Sequence, residues 1–453
     1  MGHIAEYILE PKEVPQIETD NRKICTKIPV PESIPILKKL RAIEPVSMRG
    51  QPPIVWDRAH KCAVFDKYGN KWLDLSSGVL VTNVGHGRKP IVDAIKAQAD
   101  HGLIHNYVFP SEVRMRCIEK ILEFAPSYLD KVFLLTTGSE TTECALKLAR
   151  TWGHQTMGER KNVFVTFENA FHGRTLGAQM MGGIPGLKEW IQNQDTEIVQ
   201  VPFPDGFYLE DTSFDLFEES LSEQGVFPED VCAVMTETYQ GGGADFLPKE
   251  YAQKLREWCD FSEALLIFDE VQAGFGRTGR DWGFMHYEVE PDLVCMGKGI
   301  SSGLPISGVL GRADIMDIYP PGSMTSTHTG NPVSCAAVIA NIETIQKEHL
   351  VDNAMLVGSH LQVRLNELVN RYPRVGVCHG KGLVAGLQVV EPYTKNPDPK
   401  TALRVCQMLI ESGIMVFSPV GKATIKICPP LCISEDQVDE AVDVLDSCLA
   451  ANA

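Results

Sequence analysis

The sequence predicts an α/β protein, with a large domain around a mostly parallel sheet and a smaller α/β domain beside it in the chain. Two observations carry this. From about residue 71 to 330, short apolar runs alternate with amphipathic helical stretches, the pattern of βαβ units. The runs are continuously apolar rather than alternating, which fits strands covered on both faces. They are Val132–Leu135, Val163–Phe167, Ala233–Met235, Leu265–Phe268 and Leu293–Met296, with helices such as Glu140–Trp152 and Tyr251–Cys259 between them. Residues 1–70, rich in Pro and charge, hold one helical stretch at Ile34–Ala42 and are expected to join the small domain. Residues 331–453 read as that second unit. It has long helices at Pro332–Glu348 and Val351–Val369, then a strand at Leu383–Val389 entered through a Gly380-Lys381-Gly382 turn. A helix at Ala402–Ser412, two short strands and a final helix at Glu435–Leu449 complete it.

At 453 residues, 44% hydrophobic and 22% charged, the chain has the composition of a globular protein with a large core. A formal net charge of -17 disfavours nucleic acid or an anionic membrane as the main partner, because phosphate binding needs clustered Lys and Arg. Small anionic substrates stay open, since they read the local site. The thirteen cysteines show no framework spacing and no C-x-x-C, and so read as reduced thiols in a cytoplasmic protein. Met1–Val14 carries no apolar signal core. Met1-Gly2 begins like a myristoylation site, but Glu6 stands where Ser or Thr is needed. No apolar run approaches the ~20 residues of a membrane span.

Four motifs carry chemistry. In Leu265-Leu266-Ile267-Phe268-Asp269-Glu270-Val271-Gln272 an apolar strand ends in an acid, at the sheet edge where ligands of open α/β folds bind. Asp269 could also merely cap the next turn, and an NTPase strand would look alike. An NTPase, however, needs a G-x-x-x-x-G-K-[ST] loop that the chain lacks. Next, Met296-Gly297-Lys298-Gly299 places a lysine between glycines, with backbone room for a bulky adduct. Such a lysine alone is commonly a surface charge, but this one also ends an apolar run. Thr136-Thr137-Gly138-Ser139-Glu140 follows a strand and opens a helix, a ready anion site, in which Ser139 is either a phosphate ligand or only an N-cap. Finally, Phe171-His172-Gly173-Arg174-Thr175 offers a ring that can stack on a planar cofactor and a guanidinium that can hold an anion bidentately.

Taken in this order, the motifs resemble the class III (ω-amino acid) aminotransferases, which share the aspartate-aminotransferase-like fold and use pyridoxal 5′-phosphate (PLP). Asp269-Glu270-Val271-Gln272, Gly276-Arg277-Thr278-Gly279 and Thr327-His328-Thr329-Gly330-Asn331-Pro332 are close matches, and the resemblance runs from about Val64 to Leu431. The resemblance implies that Lys298 holds PLP as a Schiff base and Asp269 pairs with its ring nitrogen. It places Gln272 near the ring hydroxyl, Phe171 on the ring, Gly138 and Ser139 at the phosphate, and His172 and Glu237 around the cofactor. Thr327 would reach the cofactor of a neighbouring subunit, so a homodimer with shared sites is implied. Arg174, Lys426 and Val79 are the expected substrate contacts, and no metal is expected.

The chain departs from the 4-aminobutyrate aminotransferases in one place. Their gate glutamate falls in a segment that here reads Glu237-Thr238-Tyr239-Gln240-Gly241-Gly242-Gly243-Ala244, and the arginine that pairs with it is matched by Lys426. Lys426 can equally be a solvated lysine at a strand end. Arg174 still favours a donor with an anionic tail: 4-aminobutyrate, β-alanine or taurine, with 2-oxoglutarate or pyruvate as acceptor. Another PLP reaction on the same scaffold, such as an aminomutase, epimerase or decarboxylase, and a non-enzymatic nucleotide-binding module are the competing readings. His101 and His105 have metal-ligand spacing but no third ligand, and Gly380-Lys381-Gly382 is not a complete dinucleotide fingerprint.

Overall fold

The computed structural model describes residues 7–452, so the Met1-Gly2 and Glu6 readings lie outside the described residues. The chain forms two compact units. One is the chain up to Arg88 together with the chain from Asp352 on; the other is Lys89–Val351.

The larger unit opens with helices α1 (Lys89–His101) and α2 (Glu112–Phe124). Strand β1 (Lys131–Leu135), helix α3 (Gly138–Met157), and strands β2 (Val163–Phe167), β3 (Ile198–Val201) and β4 (Val231–Glu237) follow. Helix α4 (Lys249–Phe261), strands β5 (Leu265–Asp269), β6 (Leu293–Met296) and β7 (Ser307–Gly311), and helix α5 (Pro332–Lys347) complete it. The seven strands form one sheet in the order β1-β7-β6-β5-β4-β2-β3. Only β7 runs against its neighbours, so the sheet is mostly parallel, as its apolar runs predict. Every residue of β2, β4, β5 and β6 is buried, the signature of strands covered on both faces.

Two of these strands are not evident from the sequence. β3 is short, and β7, Ser307-Gly308-Val309-Leu310-Gly311, has glycines where strand propensity is lowest. Tertiary packing overrides that propensity. A Cβ on Gly308 would lie 2.8 Å from the Phe133 carbonyl oxygen of β1, so glycine is what lets β7 approach its neighbour.

In the smaller unit, Lys71–Asp74 lies at the middle of a sheet formed by Ile17–Glu18, Lys23–Ile24, Ala63–Phe65 and Arg58–His60. It also pairs in parallel with Ile414–Met415, and the Trp72 indole donates to the Ile410 carbonyl at 2.9 Å. Residues 71–88 thus pack with the C-terminal part of the chain. Conversely, α5 packs on α1 and α2 within the larger unit. The compact units therefore divide at 88/89 and 351/352, later than the 70 and 330 read from the change in sequence pattern. Val375–Lys381, Val384–Val389 and Thr424–Ile427 form an antiparallel three-stranded sheet. Lys381 ends its first strand, and Gly382, at φ 58°, makes the hairpin turn. Helices Pro399–Glu411 and Glu435–Ala450 lie within 2–3 residues of the expected ranges at each end.

Helix α3 shows how closely the layers meet. A Cβ on Gly153 would lie 2.5 Å from the Lys161 carbonyl oxygen and 2.8 Å from the Cys232 Cβ of β4. Replacing a mid-helix glycine by alanine ordinarily gains about 0.5–1 kcal/mol, whereas overpacking a core costs about 1–3 kcal/mol. Gly153→Ala is therefore expected to lower stability by about 1–2 kcal/mol. Urea denaturation tests this, and a stabilised variant would show that the helix can lift from the strand.

Candidate active site

The sheet delivers its functional groups at the C-terminal ends of β4, β5 and β6. Asp269 ends β5, and in the parallel register it stands beside Glu237, which ends β4. Both are buried, as is Glu270. The loop after β2 brings His172 between the first two: its ring Nδ1–H donates to Asp269 Oδ2 at 2.8 Å. Burial of His172 lowers its pKa, but Asp269, reinforced by Glu237, outweighs this and raises it above the ordinary value. Its Nε2 is buried with no hydrogen-bond partner among the described residues. Asp269 Oδ1 also accepts from the Val271 amide at 3.0 Å, so this acid both caps its turn and holds the histidine.

Glu237 ties two loops to the sheet edge. It accepts from the Phe171 amide and from the Gly241 amide, each at 3.0 Å. Burial pushes its carboxyl up to about 7. A Cβ on Gly241 would lie 2.2 Å from Gln272 Nε2, and one on Gly243 1.8 Å from Asp245 Oδ2. A side chain at Gly241 or Gly243 would thus have to displace the end of Gln272 or of Asp245.

Helix α3 begins in the same region. Thr137, not Ser139, is its N-cap: Thr137 and Glu140 form a capping box in which Glu140 accepts from the Thr136 and Thr137 amides at 2.8 Å. The Gly138 and Ser139 amides fall in the first turn, where helical N–H groups have no intrahelical acceptor. Ser139 Oγ accepts from the Arg174 amide at 3.1 Å, and Thr142 Oγ1 donates to the His172 carbonyl at 2.8 Å. One face of α3 therefore fixes the Phe171–Arg174 loop. Gly173 sits at φ 135°, where a Cβ would lie 2.2 Å from Ser139 Oγ, so only glycine fits. Arg174 is exposed, with its guanidinium carbon 5.7 Å from the centre of the half-buried Phe171 ring.

Lys298 follows β6 in a left-handed conformation, φ 42°, which is uncommon for a residue with a side chain. Burial lowers its ammonium pKa, opposed by Asp269 and Glu237. The turn is held from α5, where the Asn341 side-chain amide donates to the Gly299 and Ile300 carbonyls at 2.9 Å each. Thr327 is exposed on the segment before α5.

The larger unit thus brings together Lys298, Asp269, Glu237, His172, Phe171, Gln272, Gly138, Ser139 and Arg174. Lys426 and Val79 belong to the smaller unit. Lys426 is 2% exposed within the Thr424–Ile427 strand, which excludes a solvated strand-end lysine. Val79 is 44% exposed in a turn whose four residues, Ser77 to Leu80, all have positive φ. Asn341 is the residue that inspection of the sequence misses. Its only signal is an amide within the apolar run Cys335–Ile342 of α5, which must find a partner among buried groups. His101 and His105, which have metal-ligand spacing in the sequence, do not share a helix. Helix α1 ends at His101, Gly102 reverses the chain at φ 85°, and His105 meets the His328 ring at 5.5 Å. Among the described residues no group of three or more His, Cys, Asp or Glu could hold a metal, and no helix is long and apolar enough to cross a membrane. All thirteen cysteines are free.

The chain belongs to the class III aminotransferases, whose family model matches residues 46–449. It is 31% identical over 443 residues to a 4-aminobutyrate aminotransferase of Mycobacterium leprae, covering 95% of this chain and 98% of that one. An acetylornithine aminotransferase of Methanopyrus kandleri is 34% identical over 391 residues, 86% and 92% of the two chains. An isoleucine 2-epimerase of Lentilactobacillus buchneri is 32% identical over 413 residues, 88% and 90%. Among solved structures, an (S)-enantioselective omega-transaminase from Thermomicrobium roseum matches with a TM-score of 0.85 at 26% identity, over 92% of this chain and 98% of that one. An amine transaminase from an uncultivated Pseudomonas species, solved with PLP bound, matches with a TM-score of 0.82 at 28% identity, over 88% and 95%. The protein is a PLP-dependent transaminase of the aspartate-aminotransferase-like fold, acting on an amino donor and an oxo-acid acceptor.

The buried acids make stability depend on pH. Glu270 accepts from the Thr238 hydroxyl and from the Gly283 and Phe284 amides at 2.7 and 2.9 Å, yet burial pushes it up to about 7 from 4.5. A carboxyl that binds its proton more tightly when folded contributes stability below its unfolded pKa, and loses it as pH rises through the folded value. Glu270→Gln removes this titration. The stability of the wild type relative to the variant is expected to fall by up to about 3 kcal/mol between pH 4.5 and 7. Urea denaturation of both proteins across that range measures it, and a flat difference would mean that folding leaves the Glu270 pKa unchanged.

Proposed function

We propose that the enzyme moves the amino group of a short anionic ω-amino acid (4-aminobutyrate, β-alanine or taurine) to 2-oxoglutarate or pyruvate in a ping-pong cycle. The observation that carries this is Arg174. Its backbone is tethered to Ser139, and its guanidinium stands exposed beside the Phe171 ring, at the mouth of the buried acid cluster. A planar fork suits both carboxylate and sulfonate. The relatives fit a primary amine distant from an acid, since both 4-aminobutyrate and acetylornithine aminotransferases are among them.

The residues fit PLP. The first-turn amides of Gly138 and Ser139 suit its phosphate, the Phe171 ring offers a flat face, and Gln272 would take the ring hydroxyl. Asp269, hydrogen-bonded to His172, suits a protonated ring nitrogen, and the orphaned His172 Nε2 marks a polar place still to be filled. When bound, the cofactor draws electrons from the substrate carbon that bears the amine. Lys298, whose amine burial favours in the neutral form, is the attachment residue and then the base that moves the proton from that carbon. Glu237 fixes Phe171 and Gly241 in place. By the resemblance to the 4-aminobutyrate aminotransferases, Lys426 is the residue for the carboxylate of the oxo-acid. Val79, in its left-handed turn, limits the substrate's width, a use consistent with strain stored at a functional site.

The enzyme works as a cytoplasmic homodimer in this reading. Ile104 at 58% and Phe109 at 72% exposure leave an apolar face beside Thr327, joined to it through Tyr107 and Thr325 hydroxyls 3.1 Å apart. A second copy covering that face would bring Thr327 to the neighbouring cofactor. The epimerase relative supports one alternative, turnover without an oxo-acid, which product analysis with and without 2-oxoglutarate separates.

Lys298→Ala is expected to abolish turnover while the protein still folds. Borohydride reduction of the wild type should fix the cofactor on the Lys298 peptide, and near-normal activity in the variant would sink the assignment. Arg174→Ala should reduce kcat/KM for anionic donors by about tenfold to a hundredfold, the worth of a charge-assisted hydrogen bond, and leave a simple alkylamine little changed. Equal losses for both donor types would make Arg174 a structural residue only.

A further inference from the structure

Within the smaller unit, two cysteines from opposite ends of the chain meet. Cys62 Sγ and Cys432 Sγ lie 3.6 Å apart across 370 positions of sequence. Neither is part of the machinery described above. Cys62 is buried at 3% exposure, whereas Cys432 is half-buried and so within reach of a small solute. The backbone around them is fixed on both sides. Lys61 and His86 exchange amide-to-carbonyl hydrogen bonds at 2.8 and 2.9 Å, the Cys62 carbonyl accepts from the Asp74 amide at 2.7 Å, and the Leu431 amide donates to the Asn83 carbonyl at 2.8 Å. Gly85, at φ 100°, makes the room: a Cβ there would lie 3.0 Å from Cys432 Sγ and 3.1 Å from the Lys61 Cα.

We propose that Cys62 and Cys432 form a reversible dithiol site whose substrate class is a hydroperoxide. Cys432 attacks and Cys62 resolves. The Cys432 thiolate attacks one peroxide oxygen, forming an S–O bond as the O–O bond breaks, and the leaving oxygen departs as water or alcohol. The Cys62 thiol then attacks the Cys432 sulfur, releasing water and closing the disulfide. Two thiols lose two electrons and two protons, and the peroxide takes up both. Closure needs the sulfurs to approach by about 1.5 Å, which the short side chains can supply.

The roles follow from the surroundings. The Cys62 hydrogen bond, aided by the Arg88 and Lys61 charges, holds the Cys432 thiol below its ordinary pKa, while the same pairing and burial hold Cys62 well above its own. Thiolate character and access together select the attacking sulfur. Exposed Cys25, which points to the Tyr68 carbonyl, has no such partner and is the internal control.

The test treats the native holoenzyme with stoichiometric hydrogen peroxide, followed by alkylation and peptide mapping. A Cys62–Cys432 cross-linked peptide, removed by dithiothreitol, is expected. In Cys62→Ser, dimedone should label the Cys432 peptide. In Cys432→Ser, thiol loss from this pair should slow by about tenfold or more. The retained absorbance of bound PLP checks that each variant is folded. No cross-linked peptide, or dimedone on Cys62 in Cys432→Ser, would overturn the proposal. Labelling of Cys25 as fast as Cys432 would also overturn it.

Discussion

Three carboxylates leave water at one edge of one sheet. Glu237 and Asp269 end adjacent parallel strands in register, and Glu270 follows at once on the opposite face. Burying a charge costs several kcal/mol unless it is paired and hydrogen-bonded, so the surrounding chain must supply partners. It does so with loops. Asp269 takes His172 from the loop after β2, Glu237 takes the Phe171 and Gly241 amides, and Glu270 takes Thr238, Gly283 and Phe284. The acids thereby fix the positions of the very loops that carry the site. Asp269 and Glu237 act together on one buried histidine, which is hydrogen-bonded to Asp269.

Helix α3 supplies the second set of anchors. Its first turn presents the Gly138 and Ser139 amides, and Ser139 and Thr142, three positions apart on one face, grip the loop of Phe171 to Arg174. Close approach of that kind leaves no room for a Cβ at Gly173. Among the residues with side chains in the left-handed region are Lys298 and those of the Ser77–Leu80 turn. Lys298 is held in the left-handed region by Asn341, and the turn is tied down by the Ser77 hydroxyl, which donates to the Cys428 carbonyl at 2.7 Å. Such positions persist because their surroundings over-determine them.

The relatives share the scaffold and differ in what they act on: an ω-amino acid, an acetylated diamino acid, and an amino acid that is only epimerised. A common cofactor edge with variable loops explains this, since function lives in sites set on folds. In this chain the segment at Gly241–Gly243 is all glycine, and Lys426 is buried in its strand.

The sequence by itself determined the strand ends that carry Asp269 and Lys298, the helix opened by the Thr136–Glu140 motif, and the parallel layering, because each is a local pattern of apolar runs, glycines and end residues. It also showed which residues depart from the usual charge switch. It did not reveal β7, whose glycines have poor strand propensity and become a strand only through close approach to β1. Nor did it show that residues 71–88 pack with the C-terminal part of the chain, because a four-residue strand acquires its partners from Ala63–Phe65 and Ile414–Met415. The roles of Asn341 and of the Cys62–Cys432 pair were decided by tertiary structure alone. A buried amide or thiol takes its meaning from whichever distant atom fills its hydrogen bond, and no spacing along the chain encodes that atom.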